Sequence, residues 1–139
     1  MKESLLQQYF DGEIGALSLK TFLSSVRGVS KLVRGENLEC DLTNDYEVSL
    51  KNLRKVCDDY LAGWLDEADV VAIAFFLLAA DHLIWDKTTE QGSVVAELVD
   101  DWNSPEIDFP ITARNMRRIA RGLDEGIYDP GALSADESS

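Results

Sequence analysis

The sequence predicts an all-α fold, a single bundle of five or six helices, and three observations predict it. Nearly every apolar run repeats at three- and four-residue steps, the spacing of one helix face. Glycine stops and Ser, Thr or Asp caps punctuate the runs at helix-length intervals. No pair of alternating stretches is joined by hairpin turn chemistry. A chain of 139 residues fits one domain and can bury a core without disulfide or metal staples. The expected division is a helical bundle over residues 1–126 and a flexible acidic tail over 127–139.

The first helix runs from about Glu3 to Asp11, with Leu5, Leu6, Tyr9 and Phe10 on one side. Gly12 follows as its stop, because glycine enters the left-handed region cheaply. The second opens at Ser18 as N-cap and carries Leu19, Phe22, Leu23, Val26, Val29 and Val33. Gly28 interrupts that stripe and Gly35 ends it; residues 36–45 read as a surface connection. The third runs from about Tyr46 to Ala62, with caps offered by Thr43, Asn44 and Asp45. Its stripe is Val48 or Leu50, Leu53, Val56, Cys57, Tyr60 and Leu61, and Gly63 closes it.

The fourth starts at the cap Asp66, with Glu67 and Asp69 complementing the helix dipole, and runs to about Ile84–Trp85. It is apolar nearly all round, as the central helix of a core must be. Thr88 or Thr89 caps the fifth, whose stripe is Val94, Val95, Leu98, Val99 and Trp102. Pro105 and Pro110 exclude regular helix between them. Thr112 caps the sixth, with Met116, Ile119, Ala120 and Leu123 inward. The segments Tyr9–Ile14 and Tyr60–Leu65 echo each other, and two αα-hairpins using the same glycine stop explain the echo.

Thirteen Lys and Arg stand against 26 Asp and Glu, a formal net charge of −13. Such a surface repels nucleic-acid backbones and anionic headgroups, so neither is an expected partner. A basic protein is. The longest apolar run, residues 70–80, is too short to span a bilayer. No signal-peptide pattern opens the chain, so the expected location is the cytoplasm, with Cys40 and Cys57 reduced.

Chemical motifs are sparse. The one histidine, His82, is placed within the fourth helix between Asp81 and Leu83. A small metal-dependent enzyme centred on His82, Asp81 and Asp86 is the third-ranked reading, since hard cations call for more convergent oxygens. Cys57 activated by His82 is a conceivable nucleophile, but its place on an apolar stripe fits an inert core thiol better. The pairs Asp58–Asp59 and Asp100–Asp101 are adjacent on their helices and so diverge. No phosphate loop, EF-hand or zinc-binding signature occurs. No catalytic residue, metal or cofactor is expected.

Charge is distributed unevenly. Residues 1–65 hold 8 basic and 10 acidic side chains; residues 66–139 hold 5 and 16. Four of those five are Arg114, Arg117, Arg118 and Arg121, one stripe of the sixth helix. The stripe either contacts an anion or pairs within the molecule with Glu97, Asp100 and Asp101, and the chain's surplus of acid favours the pairing. The remaining acids, Asp58, Asp59, Asp81, Asp86, Glu106 and Asp108, form either a solvated surface or a docking face for a cationic protein. In the loop that holds the last two, Glu106 and Asp108 alternate with Ile107 and Phe109, so the acids are expected outward.

Several of these segments carry a resemblance. Leu61-Ala62-Gly63 closing a helix, the core run Phe75-Phe76-Leu77-Leu78, and Asn103-Ser104-Pro105-Glu106-Ile107 before a Thr-capped last helix resemble small acidic bacterial immunity proteins. The opening Tyr9-Phe10-Asp11-Gly12-Glu13-Ile14 is similar to the start of immunity chains of the colicin D type. These families inhibit partner toxins in contact-dependent inhibition and colicin systems. The resemblance implies an all-helical inhibitor, monomeric or weakly dimeric when free, that blocks a basic nuclease-like toxin by stoichiometric binding. The arginine stripe departs from what a pure nucleic-acid mimic would display. The second-ranked reading is a general helical interaction or adaptor module, as a monomer or a homodimer, that presents Trp64, Trp85 and Trp102.

Overall fold

Where the helices start and stop follows from a few side chains and two strand-like dipeptides. The computed structural model describes residues 2–27, 39–105 and 109–135, with 25–27 as backbone only. Val26, Gly28, Val29, Val33, Gly35, Glu106, Ile107 and Asp108, all part of the sequence expectations, thus lie outside what can be described of side chain or fold. Among the described residues there are six α-helices: α1 Glu3–Phe10, α2 Ala16–Arg27, α3 Leu50–Leu61, α4 Glu67–Ala79, α5 Glu90–Asn103 and α6 Ala113–Asp124. Two dipeptides, β1 Tyr46–Glu47 and β2 Leu83–Ile84, form a small parallel pair. The fold is an all-α helical bundle.

The two expected αα-hairpins use one turn twice. Gly12 (φ +81°) and Gly63 (φ +89°) both take the left-handed conformation. In each, the glycine N–H donates to the tyrosine carbonyl three residues back, Gly12 to Tyr9 at 3.1 Å and Gly63 to Tyr60 at 3.0 Å. The next N–H then reaches one residue further back, Glu13 to Gln8 at 2.8 Å and Trp64 to Asp59 at 2.9 Å. This is the Schellman-like closure that a glycine at this position permits.

Three boundaries differ from the sequence expectation. α2 starts at Ala16, two residues before the expected cap Ser18; Leu19 N–H bonds Gly15 O at 3.1 Å, so the glycine stands at the cap position. α3 starts at Leu50, four residues later than expected. Tyr46 N–H donates to His82 O (2.7 Å) and Val48 N–H to Ile84 O (2.8 Å), so this stretch is extended and Ser49 with Asn52 forms the capping box instead. α4 correspondingly ends at Ala79 and not at Ile84–Trp85, because Leu83–Ile84 is the other half of that pair. A parallel pair needs a long crossover and leaves no hairpin turn in the sequence.

The remaining caps fall as expected. Asp66 accepts from Asp69 N–H at 2.9 Å, Thr89 from Gly92 N–H at 3.0 Å and Thr112 from Asn115 N–H at 3.2 Å. Val70, Ile73, Ala74, Phe76 and Leu77 of α4 are buried at the centre. α5 packs Val95, Leu98, Val99 and Trp102 into the same core, and α6 packs Met116, Ile119, Ala120 and Leu123.

Within the expected tail, residues 128–134 are bonded to the bundle. Tyr128 Oη donates to Asp101, Arg118 Nη1 donates to Ala132 O (2.6 Å), and Asn115 both donates to Ser134 O and accepts from Ser134 N–H at 2.9 Å. Through residue 134 the chain is therefore tied to α5 and α6.

Candidate functional site

The C-terminal turn of α3 carries Asp58 and Asp59. Arg54, one turn earlier, donates from Nε to Asp58 Oδ1 at 2.9 Å, an exposed i,i+4 pair. The same guanidinium pairs with Asp124 and donates to Ala120 O at 3.0 Å, which ties α3 to α6. Asp124 and then Asp58 hold the arginine above its already high pKa. Asp58 is therefore engaged by the protein's own cation.

Asp59 is half-buried and held differently. It accepts a short hydrogen bond from the hydroxyl of Tyr9, which is fully buried in α1. Burial, and then the Asp59 carboxylate, push the Tyr9 phenol far above its usual pKa, so it remains a donor. Lys55 lies 4.7 Å above the Tyr9 ring centroid. Among the described residues no cation comes within ion-pair distance of Asp59 itself. Beside it opens a cleft of about 300 Å³ lined by Gly15, Ala16, Leu17, Asp59 and Trp64. Leu17 and Trp64 are 58% and 49% exposed, which leaves two large apolar side chains at the cleft open to solvent.

At the other end of α1 a different carboxylate organises three chain segments. Glu3 is fully buried. Its Oε1 accepts from Leu42 N–H (3.0 Å) and sits 3.1 Å from His82 Nδ1. Its Oε2 accepts from Asp81 N–H (3.2 Å) and His82 N–H (3.3 Å). His82 thus lies in the loop between α4 and β2 rather than within the helix, and its partner is Glu3 rather than Asp81 or Asp86. Asp81 is exposed beside Cys40, whose thiol is raised above its usual pKa by desolvation, then by the charges of Glu3 and Asp81. Asp86 is exposed and bonded within its own loop. Its carboxylate accepts from Thr88 Oγ1 (2.6 Å) and N–H (2.9 Å), which holds it below the ordinary aspartate range.

The four described members of the expected acidic set therefore fall in three places. Asp58 and Asp59 lie at the Tyr9 end of α1, and Asp81 at its Glu3 end; the six-position step from Glu3 to Tyr9 rises about 9 Å. Asp86 stands at the far end of β2, ahead of α5. Glu106 and Asp108 lie outside the described residues. Cys57 is buried, and burial first, then Asp58, pushes its thiol up to about 12, as befits a core thiol. Among the described residues no group of three or more His, Cys, Asp and Glu is placed to hold a metal ion.

The arginine stripe of α6 does not follow the expected intramolecular pairing. None of the ion pairs between described residues involves Arg114, Arg117 or Arg121, and Arg118 donates to a backbone carbonyl. Sequence reasoning missed Glu3 and the cleft. A first-turn glutamate reads as a dipole complement, and nothing near it in sequence signals Leu42, Asp81 or His82.

No protein-family model matches the chain, and no curated protein or solved structure matches it. Among the described residues no helix is long and apolar enough to cross a membrane.

Proposed function

We propose that this is an immunity-type protein that binds and neutralises a cognate basic, nuclease-like toxin domain, one to one, through its acidic surface. The observation that carries the reading is charge. If every Lys and Arg paired with one carboxylate, 13 of the 26 would still lack a cation, the net −13 of the chain. Burial does not absorb them: Glu3 and Asp69 are the fully buried carboxylates among the described residues. The other described carboxylates are therefore at least partly exposed, where an excess of negative charge steers a cationic partner and speeds encounter. Asp58, Asp59, Asp81 and Asp86, with Glu106 and Asp108, are the proposed contact residues; the described four stand apart and Asp58 is shared with Arg54, so the contact is a spread acidic surface and not one patch. A carboxylate-rich surface can occupy the basic cleft with which a nuclease holds RNA or DNA. Such an inhibitor acts in the cytoplasm and needs no cofactor.

The test is co-expression with a basic toxin-like product encoded beside this chain. Restored growth, a one-to-one complex by light scattering, and association that slows as salt rises are expected. Growth arrest that persists, with no complex at 50 mM salt, refutes the reading.

Of the three tryptophans expected on an interaction face, Trp102 is packed in the core and Trp85 is half-buried; the exposure of Trp64, with Leu17 beside it, favours a second reading, a helical interaction module that self-associates through this apolar surface. A dimer of the isolated chain in light scattering, lost in Trp64→Ala, would establish it.

A further inference from the structure

The cleft beside Asp59 combines three properties. Its volume of about 300 Å³ can take an extended side chain. Its walls include the exposed faces of Leu17 and Trp64. Its one charged lining residue is Asp59, fixed by a buried tyrosine hydroxyl and, among the described residues, without a cation within ion-pair distance. A carboxylate already held in place loses little freedom when it accepts a second partner. Its half-buried position also screens the interaction less than open solvent would.

We infer that this cleft is the anchor point for an arginine side chain of the basic partner, its guanidinium bonded to Asp59 and stacked on the Trp64 indole. Arginine fits better than lysine because its planar, weakly hydrated guanidinium stacks on aromatic faces while hydrogen bonding in its plane. Leu17 and the indole cover the methylene shaft. An acidic or purely apolar segment would meet Asp59 unpaired. This inference rests on the reading of the protein as a binder of a basic partner.

The experiment uses the full chain, ¹⁵N-labelled, with an octa-arginine peptide as probe at pH 7 and low salt. Binding is expected to shift the Trp64 indole N–H signal while that of the buried Trp102 stays in place. Calorimetry is expected to show about tenfold weaker binding for Asp59→Asn and for Trp64→Ala. Glu97→Gln, which removes one exposed charge on α5, should change it by less than about twofold. Asn at position 59 still accepts from Tyr9, and melting curves verify the folds. Should Trp64→Ala melt early, Leu17→Ala tests the opposite wall. If octa-arginine binds both cleft variants as tightly as the parent, the cleft inference is overturned while the acidic-surface reading stands. If the parent chain fails to bind octa-arginine at all, the reading of a basic partner falls, and the anchor with it.

Discussion

Replacing Glu3 by alanine should destabilise the protein more than removing any other single charge. The carboxylate is fully buried and accepts from the N–H groups of Leu42, Asp81 and His82 and from the His82 ring. Glu3→Ala leaves three backbone donors without an acceptor in partly buried surroundings. Each such orphan costs about 1–3 kcal/mol, and charge-assisted bonds lie at the upper end. Water reaching part of the gap lowers the sum, so we expect a loss of about 3–5 kcal/mol. That is a large share of the roughly 5–15 kcal/mol that holds a domain together. In a urea melt followed by circular dichroism, a slope of about 2 kcal/mol per molar converts this to a midpoint shift of about 2 M. Glu3→Gln keeps one oxygen but sets an amide NH₂ against N–H donors, and its midpoint should fall between. His82→Ala, which removes only one bond from a ring 32% exposed, should cost about 1 kcal/mol. A midpoint shift below about 0.5 M for Glu3→Ala would refute the view that this carboxylate ties α1, the 39–42 segment and the α4–β2 loop together.

Other outcomes follow from single contacts. Gly92→Ala would place a Cβ 1.7 Å from the Asp86 carbonyl oxygen, a backbone atom that cannot step aside, and should lower the melting temperature by about 10 °C. Asn115→Ala removes the bonds to Pro110 and Ser134, so limited proteolysis should cut residues 127–135 faster than in the parent. With an aromatic disulfide reagent at pH 8, exposed Cys40 should react within minutes and buried Cys57 only on unfolding. Cys57 titrates near 12 in the fold and near 9 unfolded, so the stability linked to it is complete below about pH 9 and declines as pH rises towards 12. Cys57→Ala should flatten that alkaline limb of a stability–pH curve. The depressed pKa values of Asp41, Asp66 and Asp86 have the opposite sign: their contribution is present above about pH 4 and is lost as pH falls through their folded values, which acid melts should register.

Local chemistry made most of the fold legible. The caps Asp66, Thr89 and Thr112 and the stops Gly12 and Gly63 are read from one or two side chains, and the structure places them as such. What failed was non-local. Tyr46–Glu47 and Leu83–Ile84 sit inside helical periodicities, and only their pairing across α3 and α4 pulls them out. That error carried His82 into a helix and hid Glu3, whose four partners come from distant segments. The candidate site suffered in the same way. Asp58 and Asp59 look equivalent in sequence, yet Arg54 takes one and Tyr9 positions the other at a cleft. The partner Tyr9 belongs to another helix, so no spacing rule could separate them.

The distribution of carboxylates bears on why the surface is so negative. The buried acids are accounted for by the fold: Glu3 gathers backbone donors, and Asp69 meets Lys20 at 2.5 Å and caps α4. Surface acids contribute little of this kind, since an exposed ion pair such as Arg54–Asp58 is worth less than about 1 kcal/mol. Their mutual repulsion opposes the compact state. Solubility alone asks for a net charge of magnitude about 2–8 in a small domain. A net charge of −13 goes beyond that, at a cost in stability. A cationic partner that lowers the repulsion on binding would turn this cost into association free energy. Salt that raises the melting temperature of the free chain should then weaken the complex, because both effects screen the same charges.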